Sequence, residues 1–257
     1  MTVKNIAPRE SISLFVKNII LIDEENSGQD SVLPFYADGY PGLMFQQTTN
    51  GLFVQPHNKQ MPDFFLYGQT IQPIELLVSG ACRFIVFQLF PFVLKSLFNL
   101  SPKDLNDDCY DLIRLANIDV AAIIQQLKQT IETAARIDTM GSFLLTASSL
   151  SPALLDFKIR QAILLIINNS GQISMQTVCE TLKITERTFE RRFLAQTGVS
   201  PKQFGTIIQF SGSLNMLNAK EYSKLTDIVY ANGFADQSHF IRVFKTFTGT
   251  TPGKFNQ

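Results

Sequence analysis

The spacing of hydrophobic residues divides the chain into two parts with different predicted structure. Between Leu33 and Phe90, short apolar segments rich in Phe, Val and Ile alternate with closely spaced Gly and Pro, as in GLMFQQ and RFIVFQLF. This pattern is typical of short strands joined by turns. From residue 156 onward, apolar residues recur every three or four positions, which indicates amphipathic helices. We therefore predict a two-domain α+β chain, in which a β-rich sandwich or open barrel with flanking helices precedes an all-α domain.

The segments beside the predicted strands are less uniform. Residues 10–22 are compatible with a short helix or with a strand, and their pattern does not decide between the two. After Pro91 the pattern becomes helical, and residues 119–137 form one predicted amphipathic helix with Asp119 as its N-cap. This helix either covers the sheet of its own chain or joins two copies in a homodimer.

A small, polar segment marks the predicted division of the chain. It reads TASSLSP and spans residues 146–152. Such composition is common between domains, so we predict an N-terminal domain at 1–150 and a C-terminal domain at 151–257.

The C-terminal part contains an internal repeat with an offset of 51 residues. The pattern F-x-R-x-F-x3-T-G-x-[ST]-P-x-x-F begins at Phe189 and again at Phe240, and no gap is needed to align the copies. In the first copy, Phe189 and Phe193 are four residues apart and share one face of a helix, whereas Arg191 lies about 200° from Phe189 around the axis. Each copy therefore predicts a helix with an apolar face for a core and a guanidinium group on the opposite side.

Helix start and stop signals give each repeated helix a partner. A first helix at 156–168 is followed by one capped by Ser174, a short turn and a third helix at about 186–196. A helix, a tight turn and a second amphipathic helix form a helix-turn-helix unit. A long helix at 201–219 leads to a second unit, in which Gly233 makes the turn and Asp236 caps a helix at about 237–247.

Charge is distributed unevenly although the whole chain is neutral. Residues 1–151 carry 10 Lys and Arg against 15 Asp and Glu, whereas residues 152–257 carry 12 against 7. A basic C-terminal part is compatible with binding to nucleic acid, but it also occurs in ordinary dipolar proteins.

Two long sequence segments resemble the AraC/XylS family of bacterial transcription regulators. They are TERTFERRFLAQTGVSP, starting at Thr185, and LTDIVYANGFADQSHFIRVFKTFTGTTP, starting at Leu225. The resemblance covers about residues 156–257. It implies two helix-turn-helix units joined by one long helix, with recognition helices that enter successive major-groove segments of double-stranded DNA about 34 Å apart. It also implies a cytoplasmic, nucleoid-associated bacterial protein that activates transcription, with RNA polymerase as a further partner.

The resemblance also assigns residues to DNA contact. These are Arg187, Glu190 and Arg191 in the first unit, and Gln237, Ser238, His239 and Arg242 in the second. Arg can pair with guanine, Gln with adenine, and Glu can accept from cytosine, although a solvated helix face would look the same. We expect Arg192 and Lys245 to face phosphates or solvent. The family usually has Arg in the linking helix, where this chain has Gln209.

The N-terminal half is predicted to sense an effector, to dimerise, or both. The segments YADGYPGLMFQ and RFIVFQLFPFVLKSLFNLSPKDL resemble an uncharacterised domain found in front of such DNA-binding modules. Aromatic residues of its strands either line a pocket for a small apolar effector or fill the core. They are Phe45, Phe53, Phe64, Phe65, Phe84 and Phe87. Without a ligand, the half would be a dimerisation or protein-interaction module and DNA binding would be constitutive.

No enzyme, cofactor or metal site is expected from the residues present. The two histidines, His57 and His239, fall in different halves, so a metal site of the cupin type is excluded in its usual form. A Ser-His-Asp arrangement in the N-terminal half would have to use His57. The three cysteines are isolated and typical of reduced thiols, and the most apolar stretch, from Phe84 to Leu100, is too interrupted to span a membrane.

Overall fold

The N-terminal half is built from two antiparallel sheets. The computed structural model describes residues 2–24, 30–56, 58–151 and 155–255, and His57 lies outside them. The strands are β1 (Thr2–Ile6), β2 (Val16–Glu24), β3 (Asp30–Phe35), β4 (Gly42–Thr48), β5 (Leu52–Gln55), β6 (Lys59–Gln60), β7 (Phe64–Tyr67), β8 (Ile74–Ser79), β9 (Cys82–Leu89) and β10 (Cys109–Asp111). One sheet has the order β1-β2-β9-β4-β7-β10 and the other β3-β8-β5-β6, which confirms the predicted β-rich architecture.

Residues 10–22, which the sequence left open, contain both kinds of structure. A single 3-10 turn at Glu10–Ile12 is followed by β2, which pairs with β9 along its length. The strand in this segment is thus fixed by its pairing with β9, which is distant in sequence and cannot be predicted from the local pattern.

The region after β9 alternates helix and strand. It contains α1 (Val93–Phe98), 3-10 turns at Lys103–Leu105 and Leu112–Arg114 around β10, and then α2 (Val120–Gln129) and α3 (Thr133–Leu150). Asp119 caps α2 by accepting from the Ala122 amide, as predicted. The single helix predicted at 119–137 is wrong, because the chain leaves helical geometry at Thr130. The buried Arg136 side chain donates to the Thr130 carbonyl at 2.7 Å and so stabilises the break.

The predicted boundary segment is mostly helical. Residues 146–150 are the last turns of α3, and Ser151 is its C-cap. The division of the chain at residue 150 remains a prediction, because apolar contacts continue across it from the sheet to the C-terminal helices.

The C-terminal part consists of helices, as predicted. They are α4 (Phe157–Asn168), α5 (Met175–Leu182), α6 (Glu186–Thr197), α7 (Pro201–Ala219), α8 (Leu225–Ala231), α9 (Gln237–Thr248) and α10 (Pro252–Phe255). Ser174, Ser200 and Asp236 cap α5, α7 and α9 through their side chains, which confirms these predicted starts. In place of the usual arginine, Gln209 of α7 donates to the carbonyl of Gly233 in the second unit.

Three hydrophobic clusters hold these layers together. The largest joins the helix-covered face of the six-stranded sheet to α4, α5 and α6, so the first helix-turn-helix unit shares a core with the N-terminal half. The second belongs to α7, α8 and α9 and includes Ala37 from the N-terminal half. The third lies between the two sheets.

Candidate nucleic-acid interface and inter-sheet cavity

The first recognition helix, α6, has an apolar face and a charged face. Phe189 and Phe193 are fully buried, and their rings contact edge to face at 5.4 Å. The Phe193 ring also lies 5.6 Å from that of Phe204, which belongs to α7. This aromatic packing fixes the rotation of α6 about its own axis. The three predicted contact residues, Arg187, Glu190 and Arg191, are consequently all exposed.

The second recognition helix, α9, repeats this arrangement. Phe240 and Phe244 are buried with their rings 5.7 Å apart, while Gln237, Ser238 and Arg242 are exposed. His239 differs from these, because it is only partly exposed and its ring contacts Phe234 at 5.6 Å. The structure therefore brings six of the seven predicted contact residues onto exposed helix surfaces and places the seventh beside the core.

Arg192 has a structural partner that the sequence did not reveal. Its guanidinium group donates two hydrogen bonds to Asp156, at 2.8 Å and 2.5 Å. Asp156 is also the N-cap of α4, where its side chain accepts from the Ile159 amide. The expectation that Arg192 faces phosphate or solvent is thus wrong, since this bidentate pair joins α6 to α4. Lys245 of α9 is exposed, as expected.

The repeat extends into the turns that end both recognition helices. In each, a threonine hydroxyl donates to the carbonyl four residues before it, at 2.9 Å from Thr197 and 2.8 Å from Thr248. The next residue is Gly198 or Gly249, with φ of 80° and 76°, a left-handed conformation that glycine adopts readily. We call residues 197–199 and 248–250 the Thr-Gly turns.

A cavity of about 370 Å³ lies between the two sheets. Its walls are mainly apolar, and its exposed rim carries the ion pair between Lys59 and Asp108 together with Asp104. The apolar walls come from both sheets and their connections. They include Phe35, Met44, Val54, Met61, Phe65, Tyr67, Ile74 and Leu76.

The phenylalanines predicted to line a pocket lie elsewhere, except for Phe65. Phe45, Phe64 and Phe87 are fully buried on the opposite face of the six-stranded sheet, under the helices. Phe84 is buried between the sheets but does not line the cavity, and neither does Phe53 of β5. Of the two alternatives that the sequence left open, Phe45, Phe64, Phe84 and Phe87 fill the core, and Phe53 does not line this cavity. Strand periodicity separates the two faces of a sheet, but it does not indicate where on a face a cavity lies.

The segment YADGY at residues 36–40 connects the sheets to the C-terminal helices. Ala37 is buried in the core of the second unit, and the Tyr36 ring lies 5.7 Å from that of Phe255. Burial raises the pKa of the Asp38 carboxyl to about 6, although hydrogen bonds from the Tyr40 amide and the Gln88 side chain partly offset this effect.

We expect the contribution of Asp38 to the stability of the protein to increase as the pH falls from about 7.5 to about 5. The folded pKa of Asp38 lies above its ordinary value of 3.8, so the native state binds the proton first, and this stabilisation is lost as the pH rises through about 6. Relative to Asp38→Asn, which does not titrate, the gain is about 1 kcal/mol in the free energy of unfolding. Urea unfolding of both proteins at the two pH values measures it, and an identical pH dependence would contradict this assignment.

Within the described ranges, no helix is both long and apolar enough to cross a membrane. The same residues contain no group of three or more His, Cys, Asp or Glu side chains placed to hold a metal ion.

Two family models match separate parts of the chain. Residues 178–257 match a helix-turn-helix domain family, and residues 4–111 match a domain of unknown function (DUF6597). The first match contains both recognition helices. The second contains the two sheets and the cavity between them.

Curated relatives match about a third of the chain. The HTH-type transcriptional activator RhaS of Escherichia coli O139:H28 is 29% identical over 88 residues, which are 34% of this chain and 31% of that protein. RhaS of Enterobacter sp. (strain 638) is 27% identical over 86 residues, with the same coverage. The chain therefore spans about a third of the length of these relatives.

A solved structure shares the fold over most of the chain. ToxT from Vibrio cholerae superposes with a TM-score of 0.51 at 16% identity, covering 89% of this chain and 97% of that one. ToxT from Vibrio cholerae O395, bound to (E)-4-(8-methylnaphthalen-1-yl)but-3-enoic acid, gives the same TM-score and identity. The β-rich N-terminal part and the helical C-terminal part thus occur together in both proteins. Residues 178–257 of this chain are thus similar to helix-turn-helix domains, and about a third of the chain is similar to the HTH-type transcriptional activator RhaS.

Proposed function

We propose that this protein is a sequence-specific transcription regulator that binds the major groove of double-stranded DNA through α6 and α9. One observation carries the proposal: two helices with the same buried phenylalanine pair expose an arginine at the same position, Arg191 in one and Arg242 in the other. The match of residues 178–257 to a helix-turn-helix domain family supports it, as does the 29% identity over 88 residues to the transcriptional activator RhaS of Escherichia coli O139:H28.

The exposed side chains suit base recognition. Arg187, Arg191 and Arg242 can each donate two hydrogen bonds to guanine, Gln237 can pair with adenine, and Glu190 can accept from cytosine. Ser238 can contact either a base or a phosphate. His239 would contribute less than these residues, because its ring already packs against Phe234.

With this function, the protein would act in the bacterial cytoplasm, in association with the nucleoid. DNA recognition of this kind requires neither catalysis nor a cofactor. RNA polymerase is the second macromolecular partner, contacted once the protein is bound at a promoter.

Selection from a random-sequence duplex library by the purified full-length protein tests DNA recognition. Base contacts from two units give one asymmetric motif with two elements about one helical turn apart. Binding through phosphates alone would enrich no motif and would weaken steeply with salt, and that result would contradict the proposal.

The inter-sheet cavity supports an effector-responsive role for the N-terminal half. Its walls are mainly apolar, so it suits a small apolar molecule. Lys59 on its rim is paired with Asp108, so a ligand carboxylate would have to compete with Asp108 for this lysine. ToxT of Vibrio cholerae O395, which shares the fold, has been solved with an apolar carboxylic acid bound.

We expect that acid, (E)-4-(8-methylnaphthalen-1-yl)but-3-enoic acid, to raise the melting temperature of the protein by several degrees at saturation. Leu76→Trp fills the cavity and should abolish the shift. The neighbouring Leu77 points to the opposite face of β8, so Leu77→Trp is the matched control and should retain it. An unshifted wild type, or equal shifts in both variants, would contradict binding of this acid in the cavity.

Homodimerisation is the second candidate role of the N-terminal half. Exposed apolar side chains favour it, since Leu145 and Leu150 of α3 are 40% and 51% exposed and Phe157 at the start of α4 is 71% exposed. A molecular mass that rises with protein concentration in light scattering would support a dimer. In this alternative the N-terminal half binds no effector, and DNA binding is constitutive.

A further inference from the structure

Two loops of the N-terminal half form one hydrogen-bonded unit, which we call the clamp loops. They are residues 68–73 and 101–108. The Asp107 carboxylate accepts from the backbone amides of Ile71 and Gln72 at 2.6 Å and 3.0 Å. The backbone adds two more bonds, from the Asp107 amide to the Gln69 carbonyl and from the Gly68 amide to the Asp108 carbonyl. Movement of one loop therefore requires movement of the other.

The clamp loops contact the first Thr-Gly turn and lie near the second. At the first turn, the Asn106 side chain donates to the Gly198 carbonyl at 2.9 Å. The approach there is so close that a Cβ atom on Gly198 would lie 2.7 Å from the carbonyl carbon of Pro102. At the second turn, the corresponding position on Gly249 lies 3.9 Å from the Pro73 ring. The clamp loops thus contact the end of α6 directly and lie beside the equivalent point, 51 residues further along the chain, at the end of α9.

Side chains between these two points continue the contact. Ile71, in the first clamp loop, packs against both the core shared with the first unit and the core of the second unit. Through Ile71 the clamp loops are therefore in contact with both helix-turn-helix units at once. They form a second connection between the units, besides the linking helix α7.

The opposite side of the clamp loops lines the inter-sheet cavity. Gly68 and Thr70 of the first loop contribute to its wall, as do Asp104, Asn106 and Asp107 of the second. Asn106 is thus both a cavity residue and the hydrogen-bond donor to the end of α6. A molecule in the cavity would contact the loops that hold the two units.

We propose that the clamp loops couple the occupancy of the inter-sheet cavity to the relative placement of the two helix-turn-helix units. The inference rests on the proposed DNA-binding function and specifies its regulation. A ligand that favours one arrangement of the loops favours one placement of α6 and α9, and only some placements fit two successive major-groove segments. Because coupling between two sites is reciprocal, DNA bound at α6 and α9 must in turn change the clamp loops.

Hydrogen–deuterium exchange of the full-length protein tests the coupling without any effector. The probe is the duplex most enriched by the protein from a random-sequence library, and a scrambled duplex of equal length is its control. We expect the specific duplex to change amide exchange in residues 69–73 and 103–108 by about fivefold or more. Unchanged exchange in these loops, with the duplex bound, would overturn the proposal.

Asn106→Asp provides the matched disruption. It replaces the amide donor by a carboxylate oxygen facing the Gly198 carbonyl, so the loop should separate from the first Thr-Gly turn. Asn117→Asp makes the same chemical change at an exposed position of the same half. The DNA-dependent change should fall at least twofold in Asn106→Asp and persist in Asn117→Asp. If the DNA-dependent change in amide exchange were equal in both variants, the contact between Asn106 and Gly198 would not transmit the coupling.

The affinity measured in the same samples separates the two proposals. Failure of the wild type to distinguish the enriched duplex from the scrambled one would contradict the DNA-binding function itself. Specific binding without a response in the loops would leave that function intact and refute the clamp.

Discussion

Replacing Arg191 and Arg242 together by alanine is expected to abolish sequence-specific DNA binding while the protein stays folded. Both side chains are exposed, so their removal leaves no cavity and no buried partner unpaired. Each bidentate contact to a base contributes about 1–3 kcal/mol of discrimination, so the double variant should bind its selected duplex roughly 30-fold to 10⁴-fold more weakly. Fluorescence anisotropy at near-physiological salt measures this loss.

The control variant is Arg114→Ala, which removes an exposed arginine from the N-terminal half. It should bind the selected duplex as the wild type does. Weak binding that remains in the double variant should be insensitive to sequence and strongly dependent on salt, because only phosphate contacts are left. A double variant with unchanged affinity for the selected duplex would contradict the assignment of both arginines.

Phe193→Ala is expected to cause the largest loss of stability among single substitutions in α6. The side chain is fully buried between the rings of Phe189 and Phe204, in the core that the first unit shares with the N-terminal half. Truncating a buried phenylalanine costs about 3–5 kcal/mol, because apolar contacts are lost and a cavity remains. Urea unfolding of the full chain should show the corresponding shift to lower denaturant.

Phe157→Ala makes the same substitution at a phenylalanine that is 71% exposed. It should change the free energy of unfolding by less than about 1 kcal/mol. Equal free energies of unfolding for Phe193→Ala and Phe157→Ala would contradict this account. They would mean that the buried phenylalanines do not hold α6 in the orientation that exposes Arg191.

The C-terminal helices were predictable because their signals are local and repeated. Ser174, Ser200 and Asp236 occupy N-cap positions, and the structure shows each side chain accepting a backbone amide three residues later. The repeat also aligns the sequences of α6 and α9 without a gap. Residues of α9 at the positions of the buried phenylalanines of α6 are therefore predicted to be buried as well. The exposure of Arg191 and Arg242 follows from that periodicity alone.

Features that depend on tertiary contacts were not predictable. The pair between Arg192 and Asp156 joins residues 36 positions apart, and no spacing rule connects them. The break at Thr130 is stabilised by a buried arginine that a helical pattern would place on a helix face. The cavity lies on the face of the sheet opposite to Phe45 and Phe64, and strand periodicity alone does not distinguish the two faces.

The central claim is that α6 and α9 read two adjacent DNA elements as one recognition surface. The most direct measurement is motif selection from a random duplex library by the wild type, Arg191→Ala and Arg242→Ala in parallel. We expect the wild type to enrich two elements about one helical turn apart, and each variant to lose preference in one element only, a different one for each. A wild type that enriches no motif, or two variants that lose the same element, would contradict the claim.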